Sequence, residues 1–313
     1  MFAFVVRRLL LVIPTVIGIS LLTFVLSNLT PGDPAFAVAS RRHGRPANHA
    51  EVVAVRHELG LDRPGVERYL NWAGGALRGD LGRSYSTQAP VRQELFRRVP
   101  HTLQLAVPAM LLAVLIAVPA GVLAAMRRNR PVDQVMRVLS LAGACMPSFW
   151  LALLLIILFS VRLHLLPVAG RGGLDHIVLP VVTLAMAPAA ILARFTRSAM
   201  LEALGSRYVL TARAKGLHER RVVAKHALRN ALVPVVTSFG VNFGILLAGA
   251  TVIETIFVWP GVGSLLVGAI QQRDYPTVEA FVLYSGVLFA VLNLVVDVSY
   301  ALIDPRIVAG SSA

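Results

Sequence analysis

Six long apolar runs, each almost free of charge, alternate with polar stretches along the chain. They are residues 9–32, 99–126, 138–161, 177–193, 230–253 and 280–296. Because a helix rises about 1.5 Å per residue, about 20 apolar residues cross the roughly 30 Å hydrocarbon core of a bilayer. The fourth and sixth runs are short, but their last turns can include Arg194 and Asp297, whose side chains can face protein. The pattern predicts an all-α polytopic membrane protein with six transmembrane helices.

The composition also favours embedding in a membrane. Of 313 residues, 56% are hydrophobic and 15% are charged, whereas about 25% of the residues in soluble domains are charged. The net charge of +14 does not indicate nucleic acid as a partner, because the Arg residues flank apolar runs, where they orient helices in the lipid. The single cysteine, Cys145, excludes an intrachain disulfide and a zinc site with several Cys ligands.

Basic residues in the short loops predict that both termini are cytoplasmic. Residues 127–137 hold four Arg and residues 194–229 hold nine Arg or Lys, whereas the alternate short loops hold few. Basic residues concentrate in cytoplasmic loops of membrane proteins. The predicted organisation is an N-terminus with the first span (1–32), an external subdomain (33–98), a permease core of five spans (99–303) with a cytoplasmic coupling loop (200–230), and a cytoplasmic tail (304–313).

The external subdomain has its own helical pattern. A short helix over residues 51–59 is predicted to end at Gly60, and a second begins after Pro64 and ends at Gly79. The second helix has an apolar face. The segment is too small for an independent core, so we expect it to lie on the membrane surface and pack on the spans or a partner.

Between residues 206 and 230 the pattern changes from apolar to amphipathic. Ser206 is a good N-cap residue, and Gly216 is placed to end a short helix as a left-handed residue. Four residues at helical spacing then share one face: Tyr208, Thr211, Ala212 and Lys215. A short helix of small residues and cations suits insertion into a groove on a partner protein. It equally suits anchoring to anionic lipid, and the residues alone leave both hypotheses open.

Two runs in this loop resemble the cytoplasmic coupling segment of dipeptide/oligopeptide/nickel permeases. They are Tyr208-Val-Leu-Thr-Ala-Arg-Ala-Lys-Gly216-Leu and Lys225-His-Ala-Leu-Arg-Asn-Ala-Leu-Val-Pro234. In ABC importers this segment has an EAA-type motif. Aligned on Gly216, the position of the family Glu is Leu210, so only the second Ala of the motif, Ala212, and the Gly are retained.

Other segments resemble the same permeases and extend the similarity over almost the whole chain. They are Arg7-Arg8-Leu9, Thr30-Pro-Gly-Asp-Pro34, Glu58-Leu-Gly-Leu-Asp-Arg-Pro64, Gly79-Asp-Leu-Gly82-Arg-Ser84, Pro90-Val91, Pro100-His-Thr-Leu103, Glu254-Thr-Ile-Phe-Val-Trp-Pro-Gly261-Val-Gly263, Arg273-Asp-Tyr-Pro276 and Asp304-Pro-Arg306. Their order and spacing make the resemblance specific. The segment after the first span is similar to that of the B-type subunit of such importers.

The resemblance implies the type I ABC importer permease fold, in the inner membrane, and transport by alternating access. It implies a heteromeric complex with a homologous C-type permease, two ATPase subunits or a fused ATPase, and an external substrate-binding protein. No phosphate-binding G-x-x-x-x-G-K-[ST] loop occurs, so ATP and Mg²⁺ are expected on the partner ATPases and no cofactor on this chain. The residues implied to couple to the ATPase are Tyr208, Thr211, Ala212, Arg213, Lys215, Gly216 and Leu217.

Three residues of the fifth predicted span are candidates for the translocation path or external gate. Asn242 and Gly249 share one helix face, and Glu254 lies about a third of a turn away. A lone charge at mid-bilayer costs about 2.5 to 3.5 kcal/mol, so Glu254 is expected to face protein or water. It contributes to the path, or it pairs structurally with a neighbouring subunit or with backbone.

The loop Trp259-Pro260-Gly261 follows this span. Bent by Pro and Gly, it is either a re-entrant or surface loop that helps to receive substrate, or a plain connection.

Other function classes fit less well. No H-E-x-x-H or G-x-S-x-G motif occurs, and the eight His residues are scattered, which disfavours a membrane enzyme. Only Glu254 and Asp297 are candidate intramembrane acids, which disfavours a secondary transporter or channel. The expected cargo is a dipeptide or oligopeptide. Nickel and a haem-like or amine ligand remain alternatives.

Overall fold

The computed structural model describes residues 2–29 and 32–303, and every regular element in these ranges is helical. The described chain forms two units. Unit 1 contains residues 2–5, 102–259 and 291–303, and unit 2 contains residues 6–29, 32–101 and 260–290. Residues 30–31, part of one resembling segment, and residues 304–313, the predicted tail, lie outside the described residues.

Unit 2 is built mainly from short helices between two long ones. Its elements are nearly all of α1 (Phe2–Leu29), α2 (Pro34–His43), α3 (His49–Glu58), α4 (Gly65–Leu77), the start of α5 (Val91–Met126), α12 (Val262–Gln271) and the first part of α13 (Tyr275–Ile303). The predicted ends of α3 and α4 are confirmed. Gly60 and Gly79 follow them with φ of +63° and +81°, a conformation that glycine adopts without steric cost.

Unit 1 contains the remaining helices. They are the rest of α5, α6 (Pro131–Cys145), α7 (Ser148–Leu155) with the π-helical Ile156–Arg162, α8 (Asp175–Leu204), α9 (Arg207–Ala214), α10 (Glu219–Arg221) with the π-helical Val222–Ala227, and α11 (Leu228–Ile256). Helices α5, α8 and α11 share a core rich in alanine, leucine and valine. Gly121 allows the closest approach, because a Cβ there would lie 2.6 Å from the Cβ of Thr196.

The third predicted span differs most from expectation. Helices α6 and α7 meet at Met146–Pro147 and are bent by 102°, so the apolar run 138–161 is not one straight helix. The reason is local: Pro147 disfavours helical backbone at the residue before it, and Met146 has ψ of 121°.

Length and composition qualify three of the described helices to cross a membrane. They are Val91–Met126, Asp175–Leu204 and Tyr275–Val295. Two bent pairs raise the number to five: α6 with the helix that follows it, and the two parts of α11, which are bent by 41°. Helix α1 contributes a shorter apolar stretch, Val12–Ser27. The six-helix number therefore stays a prediction, whereas the all-α membrane fold is confirmed.

Candidate functional site

The chain leaves α8 at Gly205 and enters α9 through Ser206. Ser206 has the extended backbone expected of an N-cap residue, with φ of −74° and ψ of 153°. Its hydroxyl does not cap α9, because it donates to the carbonyl oxygen of Ala203 at 2.6 Å. The helix start was thus predicted correctly, but the capping hydrogen bond was not.

The end of α9 is a tight left-handed turn at Gly216. Its φ is +73°, the N–H of Gly216 donates to the carbonyl of Arg213 at 2.9 Å, and the N–H of Leu217 donates to that of Ala212 at 3.3 Å. This paired arrangement is the Schellman motif, which satisfies carbonyls at the helix end. The predicted left-handed helix end at Gly216 is confirmed.

Helix α9 is anchored along one side and exposed along the other. Val209 and Ala212 are buried in a cluster of unit 1. The rest of that cluster consists of Ala125, Met200, Ala203, Val222, Val223, Ala227 and Ala231, with Leu217 packed against it. Tyr208, Leu210 and Thr211 are exposed. The helix is therefore held by its two buried side chains.

Ala212 is the one predicted member of the shared face that is buried. At three residues from Val209, it lies on the anchoring side of α9. The exposed predicted residues are Tyr208, Thr211, Arg213, Lys215 and Gly216, and Leu217 is half-buried. Leu210, at the position of the family Glu, is also exposed (57%).

Arg213 connects α9 to α10. Its guanidinium donates twice to the carboxylate of Glu219, Nη2 to Oε1 at 2.6 Å and Nε to Oε2 at 3.1 Å. This side-chain hydrogen bonding is the main cause that lowers the pKa of Glu219 and raises the pKa of Arg213. Both side chains are largely exposed, so the pair contributes little to stability.

A buried ion pair that sequence reasoning missed fixes α6 to α8. Arg197 donates to Asp133 through two bonds, Nε to Oδ1 at 2.6 Å and Nη2 to Oδ2 at 2.8 Å. The N–H of Asn129 donates to Oδ2 at 3.0 Å. Asp133 is fully buried, so this pairing is needed to compensate its charge. Arg197 lies two turns before the end of α8, and the pair therefore links the α6 start to the helix that leads into α9.

Glu254, in the last turn of α11, is fully buried. Thr102 Oγ1 donates to its Oε1 at 2.6 Å, across 152 positions of sequence. The predicted structural partner was another subunit or backbone. Thr102 is one partner of Glu254 within the described chain, and both alternatives for Glu254 stay predictions.

Helix α11 also ends in a Schellman motif, but with valine at the left-handed position. Val258 has φ of +50°, its N–H donates to Thr255, and the N–H of Trp259 donates to the carbonyl of Glu254 at 2.7 Å. Trp259 is buried in the core of unit 1 with Ile253. The turn thus directs Trp259 inward, which a surface loop would not do.

The other predicted path residues are placed as follows. Asn242 is buried, and its Nδ2 donates to the carbonyl and hydroxyl oxygens of Ser238 one turn earlier. Gly249 lies in α11, but its surroundings are outside the described residues. In unit 2, Pro260 is half-buried and Gly261 precedes α12 with its carbonyl accepting from Ser264 Oγ at 2.9 Å. Asn242 and Glu254 lie in the same helix, α11, and both are buried.

A second missed acid, Asp274 in unit 2, receives four hydrogen bonds. The donors are the hydroxyls of Ser84, Ser86 and Thr277 and the N–H of Tyr85, with Ser84 closest at 2.5 Å. This buried carboxylate connects the segment 273–276 with Ser84 at the end of the segment 79–84. Both segments resemble the dipeptide/oligopeptide/nickel permeases. Burial, followed by the charge of Glu279, raises the pKa of the nearby Tyr85 to about 12.

No group of three His, Cys, Asp or Glu side chains within residues 2–29 and 32–303 is arranged to hold a metal ion.

A set of long apolar helices, with a short exposed helix anchored between two of them, defines a multi-pass membrane component of a transporter. The chain belongs to the family described as binding-protein-dependent transport system inner membrane component, which matches residues 117–309. The N-terminal family of the same membrane components matches residues 1–106. The predicted class, a non-catalytic membrane subunit of a transport system, is thereby confirmed.

Curated relatives match nearly the full length. The dipeptide transport system permease protein DppB of Escherichia coli K12 is 43% identical over 338 residues, covering 98% of this chain and 99% of the relative. The di/tripeptide permease DppB of Pseudomonas aeruginosa is 44% identical over 335 residues, with the same coverage. The glutathione permease GsiC of Escherichia coli K12 is 43% identical over 307 residues, again covering 98% and 99%.

Solved structures support the fold. A chain of the inward-facing MetNI methionine ABC transporter superposes with a TM-score of 0.57 at 18% identity, covering 67% of this chain and 96% of its own. A chain of an amino acid ABC transporter superposes with a TM-score of 0.54 at 15% identity, covering 66% and 93%. The permease fold predicted from the sequence is confirmed.

Proposed function

We propose that this chain is the B-type permease subunit of an ATP-driven, binding-protein-dependent importer of dipeptides and short oligopeptides. The observation that carries the proposal is the 43–44% identity, over nearly full length, to permeases named for dipeptide and di/tripeptide transport. The equally similar glutathione permease widens the expected cargo to a tripeptide-sized molecule.

The proposed complex contains partners that the family name and the sequence imply. A binding protein delivers cargo, a homologous C-type permease forms the other half of the path, and two ATPase subunits or a fused ATPase hold ATP and Mg²⁺. This chain has no phosphate-binding loop of its own, which supports an ATPase acting from another subunit.

In the proposed topology both termini are cytoplasmic and six spans cross the inner membrane. The basic loops at residues 127–137 and 194–229 face the cytoplasm, and residues 33–98 begin on the outer side. Helix α9 then lies on the cytoplasmic side, and Glu254 and Trp259 lie near the outer end of α11.

We assign docking of the ATPase to the exposed side of α9. The contact residues are Tyr208, Thr211, Arg213, Lys215, Gly216 and Leu217, joined by Leu210, while Ala212 acts by anchoring. Because two buried side chains hold α9 in place, the helix moves as a rigid unit when force is applied to it. The Asp133–Arg197 ion pair connects α8, the helix before α9, to α6. This connection supports the transmission of movement from α9 into the spans.

At the proposed outer end, Glu254 and the loop Trp259-Pro260-Gly261 form part of the external gate. In this proposal Asn242 and Gly249, which precede Glu254 in α11, face the translocation path. The buried bond from Thr102 to Glu254 supports a gate that is held shut by a hydrogen bond between α5 and α11, both within unit 1.

The function is tested by uptake of a radiolabelled dipeptide into proteoliposomes that contain the two permeases and their ATPase. Uptake that requires external binding protein and internal ATP is expected. Transport that survives without the ATPase would indicate a secondary carrier, and uptake of nickel but not of peptide would replace the proposed cargo.

A further inference from the structure

Helix α4 has an apolar stripe that no other part of the described chain covers. Val66, Leu70 and Leu77 are 73%, 62% and 90% exposed. Spaced by four and seven residues, they share one face of the helix. Three large exposed side chains in one line are an unusual surface for a segment in water.

Other sides of α4 pack against α1, with Tyr69 about a quarter turn from the stripe and Arg68 on the side opposite it. Tyr69 OH lies 2.9 Å from Ser20 Oγ, and the Tyr69 ring packs edge-on against Phe24 at 5.4 Å between centroids. The Arg68 guanidinium lies over the Phe24 ring at 5.6 Å. The middle of α4 is therefore held at the level of residues 20–24 of α1.

This level is well below the end of α1. Leu29 is the last residue of α1, and Phe24 and Ser20 lie five and nine residues before it. At 1.5 Å per residue they are about 8 and 14 Å deeper. In the proposed topology α1 ends at the outer edge of the hydrocarbon core, whose half-thickness is about 15 Å, so α4 touches α1 at membrane depth.

Helix α13 contacts α1 at the same level as α4 does. A Cβ on Gly286 would lie 3.1 Å from Cδ1 of Ile19, so the two helices approach closely there. Gly286 is eleven residues into α13, about 16 Å along it, and Ile19 is about 15 Å from Leu29.

The surroundings of the stripe are those of a lipid boundary. Helix α1, against which α4 packs, also has exposed apolar residues, among them Ile17 and Leu21. Glu67 and Asn71 on the adjoining side of α4 are exposed and polar. Amphipathic helices with one apolar and one polar side lie in the interface of a bilayer.

We propose that α4 is embedded in the outer half of the bilayer beside α1 and α13, with its Val66–Leu70–Leu77 stripe in contact with lipid acyl chains. This assignment rests on the proposed topology, in which α1 crosses the membrane. It replaces the expectation of a helix that rests on the membrane surface with one inserted between a span and lipid.

The test is nitroxide accessibility in the assembled transporter in lipid nanodiscs. Single cysteines replace Val66, Leu70 and Leu77 in a Cys145→Ser chain, and collisions with oxygen and with a water-soluble nickel chelate are compared. Matched positions are Asn71 on the polar side of α4 and Ile17 and Leu21 on α1.

The expected oxygen-to-nickel ratio at the three stripe positions is several-fold above that at Asn71 and equals that at Ile17 and Leu21. Nickel access like that at Asn71 would overturn the proposal. Labels shielded from both reagents in the complex, but open to nickel in the isolated chain, would also overturn it and indicate a protein partner. Nickel access at Ile17 and Leu21 would overturn the topology itself.

A second measurement needs no substitution. A phospholipid with a photoreactive group on its acyl chain is included in the nanodiscs with the wild-type transporter. Adducts on residues 65–77 as well as on α1 are expected. Adducts on α1 alone would overturn the proposal and leave the topology standing.

Discussion

Two helix ends in unit 1 use the same backbone motif for opposite purposes. Gly216 follows α9 and Val258 follows α11, and in each case the N–H of this residue and the N–H of the next residue close a Schellman turn. After Gly216 the chain stays at the surface, where Lys215 and His218 are exposed and Leu217 is half-buried. After Val258 it brings Trp259 into the core, next to the buried Glu254.

The difference separates a surface that we propose to contact a partner from a turn that packs into the core. Substitutions at the exposed side of α9 should change coupling and leave folding intact. Substitutions of Trp259 or Glu254 should act first on stability. The left-handed residue adds a second contrast, since glycine fits that conformation and valine is strained in it.

The largest effect is expected for Trp259→Ala. Removing a fully buried aromatic side chain from a core costs about 3 to 5 kcal/mol, so the purified complex should lose much of its thermal stability. Thermal unfolding of the complex measures this. Val258→Ala, which alters an exposed neighbour, is the control. A Trp259→Ala complex as stable as wild type would contradict the buried assignment.

Gly216→Arg should abolish coupling while the complex still assembles. A left-handed backbone costs a residue with a Cβ about 1 to 2 kcal/mol, and nothing lies within 4 Å of the position that a Cβ would occupy. The strain therefore falls on the α9 turn. Peptide uptake should fall relative to ATP hydrolysis in proteoliposomes.

Gly216→Asn is the matched control for that variant. Asparagine adopts the left-handed conformation more readily than other residues with a side chain, so it should retain most of the uptake. Normal substrate-stimulated uptake by Gly216→Arg would remove the support for α9 as the coupling element.

Val258→Gly should stabilise the other turn. Glycine relieves the left-handed strain of valine, and the lost side chain is 67% exposed, so a gain of about 1 kcal/mol is expected. The thermal midpoint of the complex should rise by about 2 to 4 °C. Val258→Ala should gain less, because alanine keeps a Cβ. A lower midpoint for Val258→Gly would show that the turn is not strained.

The Arg213–Glu219 pair should contribute about 0.5 kcal/mol at neutral pH, as expected for exposed ion pairs. Because the folded pKa of Glu219 is lowered, this stabilisation is present above its ordinary pKa of 4.5 and is lost as the pH falls below that value. A double-mutant cycle with Arg213→Met and Glu219→Gln, measured by hydrogen exchange of residues 207–221, should show coupling at pH 7 that weakens at pH 4. Equal coupling at both values would contradict the ionic pairing.

Local features of the fold could be predicted from the sequence, because their causes are local. Gly60, Gly79 and Gly216 end helices as expected, since each follows an amphipathic stretch and can adopt a left-handed backbone. The bend at Pro147 does not follow from the length of the charge-free run. Its cause is that a proline disfavours helical backbone at the residue before it.

Pairings between distant residues could not be predicted. Asp133 and Arg197 are 64 positions apart, and Ser84 and Asp274 are 190 apart. Neither pair leaves a periodic pattern in the sequence. The burial of Ala212 could not be predicted for the same reason. Ala212 shares a helix face with exposed residues, but it is buried because the contacts of Val209 with the cluster beneath it set the rotation of α9.

The most direct test of the contrast places a photocrosslinking amino acid at Leu210 or at Val258 in the assembled transporter. The two positions are exposed to similar extents, 57% and 67%, and lie in the same unit. Irradiation should crosslink position 210 to an ATPase subunit and leave position 258 without an ATPase product. An ATPase product from position 258, or none from position 210 in an intact complex, would contradict the assignment of α9 as the coupling helix.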